Sequence, residues 1–443
     1  MLISFSIQNF GSIKDKQTLS FEADKSQHLE DYYVIDTNGL RLLKLALIYG
    51  ANASGKTTIL KALDFLRSLV LNPKSKKTEI LNFEPFKFDE KTPLQNTVFE
   101  IEFFQNDVRY LYQVELNRKA IVSEELYAYN PKKYNVFNRI TDFENQATKI
   151  KFGNKIKIDD VTKNNFEQIT LWNNTVLGGF LKINLMSKEL KDTMDWFNNY
   201  LQELISPDFH IKDFVKYGIN ITELEKHTIV DILRKADFNI SNFYFKDNDS
   251  FWEYLQKKHN IKKEDIEEAK KIGFGTDNIL ATFGDTTMLD IDFEHTVNDK
   301  KYLLDFASES QGTQRYYTFA GLLYLLIKNS TVFSIDELES SLHPDLFQHF
   351  LLSFLVNSPK SQLIATTHNR EILNNKDIFR NDVIWITDKD NEDCATELYS
   401  LADFGTTVIR DTTNILNAYK LGKLGGVPNL GDYYIDIEND EKN

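Results

Sequence analysis

The sequence predicts an α/β chain in three parts: a buried parallel sheet, an antiparallel β lobe and a helical insertion. Three observations carry that prediction. The run "LKLALIYG" is continuously apolar up to a glycine-rich turn, the pattern of a parallel strand covered on both faces. The runs "TVFEIEFF", "RYLYQVEL" and "AIVSEELYAY" follow closely and are rich in β-branched and aromatic residues. In the last third, helical periodicity alternates with the short apolar runs "TVFSIDE", "SQLIATTH" and "DVIWITD", and such alternation builds parallel sheets.

Each element has a local reason. Ile3, Phe5 and Ile7 recur with period two, as do Leu19 and Phe21, so the chain opens with two strands. After the glycine-rich turn, Ile59, Leu63, Leu66 and Val70 recur at helical spacing. The three β-rich runs read as a meander, the first two joined through the polar turn "QNDV". From Met186 to Gly273 the chain turns charged and helical, in "ELKDTMDWFNNYLQEL", "ITELEKHTIVDILRKA" and "NIKKEDIEEAKKIG". No heptad pattern persists there, which predicts a compact helical insertion and no coiled-coil arm. "MLDIDFEHTV" and "KKYLLDFAS" then read as paired strands. The expected organisation is an N-terminal lobe over 1–185, the insertion over 186–273 and a C-terminal lobe over 274–443.

Composition removes several classes of function. With 443 residues, 42% of them hydrophobic, the chain can bury one large core or two ordinary ones. A net charge of −14 disfavours a surface that grips nucleic acid throughout, and leaves "NPKSKK" and "YNPKKYNVFNR" as the local basic runs. The tail "YYIDIENDEKN" is acidic. Cys394 is the sole cysteine, which excludes an internal disulfide and a zinc site built on cysteines. The start "MLISFSIQNF" lacks a basic segment followed by a long apolar one, and no run approaches the roughly 18 to 20 apolar residues of a membrane span. A cytoplasmic protein is expected.

The chemistry begins at Gly50-Ala51-Asn52-Ala53-Ser54-Gly55-Lys56-Thr57, a match to G-x-x-x-x-G-K-[ST], the Walker A loop. Glycines let the backbone curl until its N–H groups point inward, and the helix N-terminus adds positive potential. Gly50, Asn52, Ala53, Ser54, Gly55, Lys56, Thr57 and Thr58 are therefore the expected phosphate-binding residues. Lys56 is expected on the β and γ phosphates and the Thr57 hydroxyl on Mg²⁺. The apolar strand Thr331 to Ile335 ends in two acids, Asp336 for the metal and Glu337 to orient and deprotonate an attacking water. Ser310, Gly312 and Thr313 precede an apolar-periodic helix, which makes a second anion site. One chain cannot easily aim both at the same γ phosphate, so a head-to-tail dimer is expected, Ser310 and Gly312 of one subunit closing over the loop of the other. His368 ends the buried strand "QLIATTH" beside the strand that ends at Glu337. His343, before Pro344, reads as structural because proline suits a first helical turn.

Walker A, a Ser-x-Gly signature, an apolar strand ending Asp-Glu, "LESSLHP" and "LIATTH" occur here in the order of the ABC-type ATPase head shared by SMC, RecF and OLD-family proteins, and the chain resembles that group. Stand-alone bacterial ABC-like ATPases are the most similar, at "SFSIQNFGSIKD", "ESQGTQR", "DELESSLHP", "QLIATTHN" and "NAYKLGKLGGVPN". The resemblance implies ATP and Mg²⁺ as cofactors, Ser341 and Leu342 in a D-loop at the dimer interface, and His368 as the switch histidine sensing the γ phosphate. It implies an antiphage-defence ATPase that controls a separate toxic partner such as a nuclease. A RecF-like DNA clamp and a small-molecule P-loop enzyme are the alternatives. Two departures mark the chain. Its signature reads Glu309-Ser310-Gln311-Gly312-Thr313 where transporters carry Leu-Ser-Gly-Gly-Gln, so Ser310 and Gly312 alone carry over. Phe10 is followed by Gly11 and Ser12 where relatives often place an arginine. For the glutamine that couples the metal to the second lobe, Gln105 and Gln113 are the candidates.

Overall fold

The computed structural model describes residues 1–207, 223–245, 291–389, 392–404, 414–428 and 431–432. The run "NIKKEDIEEAKKIG" and the acidic tail lie outside the described residues.

The alternating opening forms β1 (Leu2–Gln8) and β2 (Gln17–Ser20), paired antiparallel. A hairpin of β3 (Val34–Thr37) and β4 (Leu40–Leu43) leads to β5 (Leu45–Gly50), buried along its whole length. The helix α1 (Lys56–Leu71) starts at the end of the glycine-rich turn and buries Ile59, Leu63, Leu66 and Val70 as the spacing requires. Next come β6 (Thr97–Gln105), β7 (Val108–Leu116) and β8 (Ile121–Tyr129), the predicted meander. It continues into β9 (Lys133–Asp142) and β10 (Ala147–Phe152), which the sequence reading did not resolve as strands. Within one of the basic runs Arg139, in β9, is fully buried and bonds the carbonyls of Ile121 and Trp172, while Lys132 and Lys133 are exposed.

The stretch from residue 186 departs from a purely helical reading. Helix α2 (Lys188–Asp195) passes through a π-helical turn into β11 (Leu201–Ile205), a strand inside the run "ELKDTMDWFNNYLQEL". Leu201 and Ile205 are buried at its two ends, and β11 pairs parallel with β15 (Val332–Ile335). The core sheet thus takes its edge strand from a segment read as helical insertion. Helix α3 (Glu223–Lys235) and β12 (Asn242–Phe245) follow, and β12 pairs with β13 (Ile291–Val297), which pairs in turn with β14 (Lys300–Asp305). Helix α4 (Gln311–Lys328) leads into β15, and helix α5 (Pro344–Asn357) into β16 (Gln362–Thr366). β17 (Ile384–Lys389) and β18 (Thr396–Ser400) complete the strands.

Two main sheets result. One has the order β11-β15-β16-β5-β17-β18, parallel except for its last pair, and the other is antiparallel in the order β10-β9-β8-β7-β6-β1-β2. Phe65 of α1 packs against Phe10, Phe83 and Phe99, so the helix after the glycine-rich turn is held to the antiparallel lobe by an aromatic cluster. Gln362 joins the sheets through polar bonds: its buried amide accepts from Leu2 N–H and donates to the carbonyls of Leu2 and Leu43. Among the described residues no helix is long and apolar enough to cross a membrane.

Candidate functional site

Strand β5 delivers the chain to the centre of the parallel sheet, and the glycine-rich loop turns there. Gly55 sits at φ 104°, and a Cβ on it would fall 2.2 Å from the Thr396 hydroxyl, so the loop closes against β18 only with glycine at this position. Ala53 adopts the left-handed φ of 62°. The loop is pinned from outside the motif by hydroxyls. Ser54 Oγ lies 2.6 Å from Thr387 Oγ1, whose own proton goes to the Tyr49 carbonyl, so Ser54 donates. Ser12 donates to Thr58 Oγ1 at 3.1 Å. Gly11, at φ 57°, would bring a Cβ within 2.8 Å of the Thr58 methyl, which accounts for glycine at that position.

Within the loop, Lys56 is buried and its ammonium donates to the carbonyls of Gly50 and Ala51, each at 3.0 Å. Burial lowers its pKa, while the carboxylates of Asp336, Glu337 and Glu339 oppose that shift. Asn52 and Ala53 are exposed at the loop crest. Thr57 Oγ1 donates to Asp336 Oδ2 at 2.8 Å, which joins residues 279 positions apart. Asp336 is buried at the end of β15, and its other oxygen accepts from Thr366 Oγ1 of β16. The same Thr366 hydroxyl accepts the Glu337 N–H at 2.8 Å. Glu337 itself is exposed at φ 49°, a left-handed conformation that costs a non-glycine residue of order 1 kcal/mol or more.

His368 stands just beyond β16. Its backbone N–H donates to Glu339 Oε1, and the residue as a whole keeps substantial solvent exposure. The protein packed around the imidazole, together with the nearby Lys56 ammonium, lowers its pKa below the ordinary value. His343 is the N-cap of α5 and accepts the Asp345 N–H, as its place before Pro344 predicts. Gln113 spends its amide on Glu100 within the antiparallel sheet, and Gln105 ends β6 at the hairpin. Neither bonds to the loop among the described residues.

The N-terminus of α4 is built differently. Ser310 caps α4, accepting the Thr313 N–H at 3.1 Å, and is exposed. A Cβ on Gly312 would lie 3.4 Å from the Ser341 carbonyl, so this end of α4 abuts the turn that follows Glu337. One turn along, Arg315 is nine-tenths buried, and its Nε and Nη2 make no hydrogen bond among the described residues; burial lowers its pKa, and the Glu337 carboxylate opposes that shift. No residue of the described glycine-rich loop bonds to Ser310 or Gly312.

The donor set tests the fit of a divalent ion. A threonine hydroxyl and a carboxylate converge at the mouth of the loop, and no cluster of three or more His, Cys, Asp or Glu able to hold a metal occurs among the described residues. That suits a hard cation held by two protein oxygens with phosphates and waters, as Mg²⁺ usually is. Sequence reasoning found the loop, the two acids and the capped serine. It missed Thr366, Thr387, Thr396, Ser12, Glu339 and Arg315, and the only signal any of them carried was a place beside a motif already singled out.

Among solved structures, the SMC head domain from Thermotoga maritima matches at 11% identity and a TM-score of 0.40, over 90% of this chain and 98% of that one. An SMC head bound to the C-terminal winged-helix domain of ScpA matches at 12% and 0.43, over 90% and 97%. An SMC head with an extended coiled coil, bound to the C-terminal domain of ScpA and derived from Pyrococcus furiosus, matches at 12% and 0.38, over 90% and 96%. At these scores no residue role is taken from them. No curated protein matches the chain. The family model described as "AAA domain, putative AbiEii toxin, Type IV TA system" matches residues 45–374, which hold the glycine-rich loop, the acidic strand end and His368, and the chain belongs to that family of AAA domains.

Proposed function

We propose that the protein is a Mg-dependent ATPase that works as a dimeric switch. The observation that carries the proposal is the 2.8 Å bond between Thr57 of the loop and Asp336 of the distant strand end, with the neighbouring Lys56 buried and its ammonium turned onto the loop carbonyls. In this reading the loop N–H groups and Lys56 hold the β and γ phosphates, and Asn52 to Thr58 surround them. Thr57 and Asp336 hold Mg²⁺, which when bound neutralises phosphate charge and orients the nucleotide. Glu337, exposed beside the same mouth, takes the proton of the attacking water, and His368 contacts the γ phosphate. Neutral imidazole is the form its surroundings favour, so it offers one donor and one acceptor.

Ser310 and Gly312 belong to the partner's nucleotide in this reading. The exposure of Ser310 and the lack of contact of either residue with the loop of their own chain support it. ATP held between two subunits joins them only while the γ phosphate is present, so hydrolysis opens the dimer. The family description names a putative toxin of a type IV toxin–antitoxin system, which supports a place in a system that controls a toxic activity. We assign the chain the sensor or regulatory role over a separately encoded effector such as a nuclease.

The test is to tag Glu337→Gln protein at its native locus, lyse the cells with Mg-ATP, and identify what co-elutes. A stoichiometric second protein supports the switch over an effector. Long DNA without a protein partner overturns that assignment in favour of a DNA clamp.

A further inference from the structure

The residue before the capped serine is a glutamate, and a carboxylate there is in the wrong place. Gln311 and Gly312 occupy the first two positions of α4, where backbone N–H groups have no partner within the helix. A carboxylate one residue before the cap is drawn to that positive end and would compete with an incoming phosphate. The structure holds Glu309 elsewhere. Its Oε1 lies 2.6 Å from His295 Nε2 on β13, and both side chains are largely buried, 10% and 22% exposed. A carboxylate accepts only, so Nε2 carries the proton and donates. The backbone is held as well: the Glu309 carbonyl accepts from Gln314 Nε2 at 2.9 Å, and its N–H bonds to Phe306.

The strand that carries His295 is fixed by aromatic packing. Phe293, two residues earlier and so on the same face of β13, packs on Tyr317 of α4 at 5.2 Å and on Phe306 at 5.6 Å. Phe243 of β12 meets Tyr317 at 5.3 Å, and Phe238, just after α3, meets Tyr316 at 5.1 Å. The small sheet β12-β13-β14 is thus seated on α4, and its one polar contact with Glu309 falls next to Ser310.

We propose that His295 is a positioning residue for the composite ATP site: it keeps the Glu309 carboxylate off the N-terminus of α4, so that this end stays open to the nucleotide of the facing subunit. The proposal rests on the head-to-tail reading given above. It also makes the small sheet a lever, because a shift of β13 would release Glu309 and close the site without any change at the glycine-rich loop.

The experiment uses the full chain carrying Glu337→Gln, so that hydrolysis is stalled, and reads ATP-driven dimerisation by light scattering beside ATP binding to the single subunit. His295→Ala should weaken the dimer about fivefold, the worth of one charge at a helix terminus, and leave single-subunit binding unchanged. Adding Glu309→Gln to it should restore the dimer, because no carboxylate is left to compete. His295→Gln, which keeps an N–H donor, should stay near the parent. His295→Asn, too short to keep the contact, takes the place of the alanine variant if that one does not fold. Unchanged dimerisation in His295→Ala, or a double variant no better than the single one, overturns the proposal, since lost packing alone would not be rescued at Glu309. A parent that fails to dimerise with ATP overturns the head-to-tail reading and this proposal with it.

Discussion

Two helices of this protein present their N-termini to solvent with a glycine and a hydroxyl nearby, and they differ in what surrounds them. At α1, side chains from β15, β16, β17 and β18 converge: Asp336 on Thr57, Thr387 on Ser54, Thr366 on Asp336, Thr396 against Gly55. At α4, Ser310 bonds within its own first turn, and its outer face is open. The first terminus is braced by several strands of its own chain, whereas the second is braced only within its own turn. In the proposed head-to-tail reading, similar local sequence chemistry makes a whole site where the sheet register closes over it and half a site where it does not.

The largest expected effect breaks the complete site alone. Lys56→Ala removes a buried ammonium whose charged hydrogen bonds are worth about 1.5–3 kcal/mol each, so ATP affinity should fall roughly a hundredfold in a fluorescent-nucleotide titration. Unchanged affinity would mean that the loop does not hold the phosphates. Glu337→Gln separates binding from chemistry. Turnover should drop by about 10²–10⁴, the usual share of a positioned base, while ATP binding persists and dimers accumulate. Turnover at the native rate would place the base elsewhere. The third prediction acts on the half-site: Ser310→Arg should leave single-subunit ATP binding intact and abolish ATP-driven dimerisation in light scattering. A dimer that still forms would remove the distinction between the two termini.

How far the sequence revealed these two sites follows from the same contrast. The glycine-rich loop was legible because its chemistry lies within eight consecutive residues, and the acidic strand end because two acids closing an apolar run are a local pattern. Ser310 was legible at a helix N-terminus for the same reason. The hydroxyls that brace the loop were not, because Thr387 and Thr396 reach Ser54 and Gly55 only through the register of β17 beside β5 and of β18 beside β17. Strand β11 was hidden too. It follows α2 through Trp196–Tyr200 with no glycine or proline to punctuate it, and it is a strand only because the edge of β15 was there to pair with. Arg139 stood in a run read as basic surface, and the meander extended two strands further and buried it.

The smallest predicted effect asks whether the braces serve distinct ends of the cradle. Thr366→Val removes a donor to Asp336 and the acceptor for the Glu337 N–H, both in buried surroundings, at a cost of about 1–3 kcal/mol. Thr387→Val removes the acceptor for Ser54 and a donor to the Tyr49 carbonyl, at a similar cost. If the cradle is one rigid body, both variants should lose stability and activity in the same proportion. The bonding pattern predicts otherwise, because the Thr366 hydroxyl bonds at the acidic strand end and the Thr387 hydroxyl at the loop and the end of the strand that leads into it. Thr366→Val should lower turnover several-fold and leave metal-free ATP affinity near the parent, and Thr387→Val should weaken that affinity with turnover at saturation preserved. Parallel losses in both quantities for both variants would show that these hydroxyls act on the fold as a whole, and the division of the site into a phosphate end and a chemical end would have to be given up.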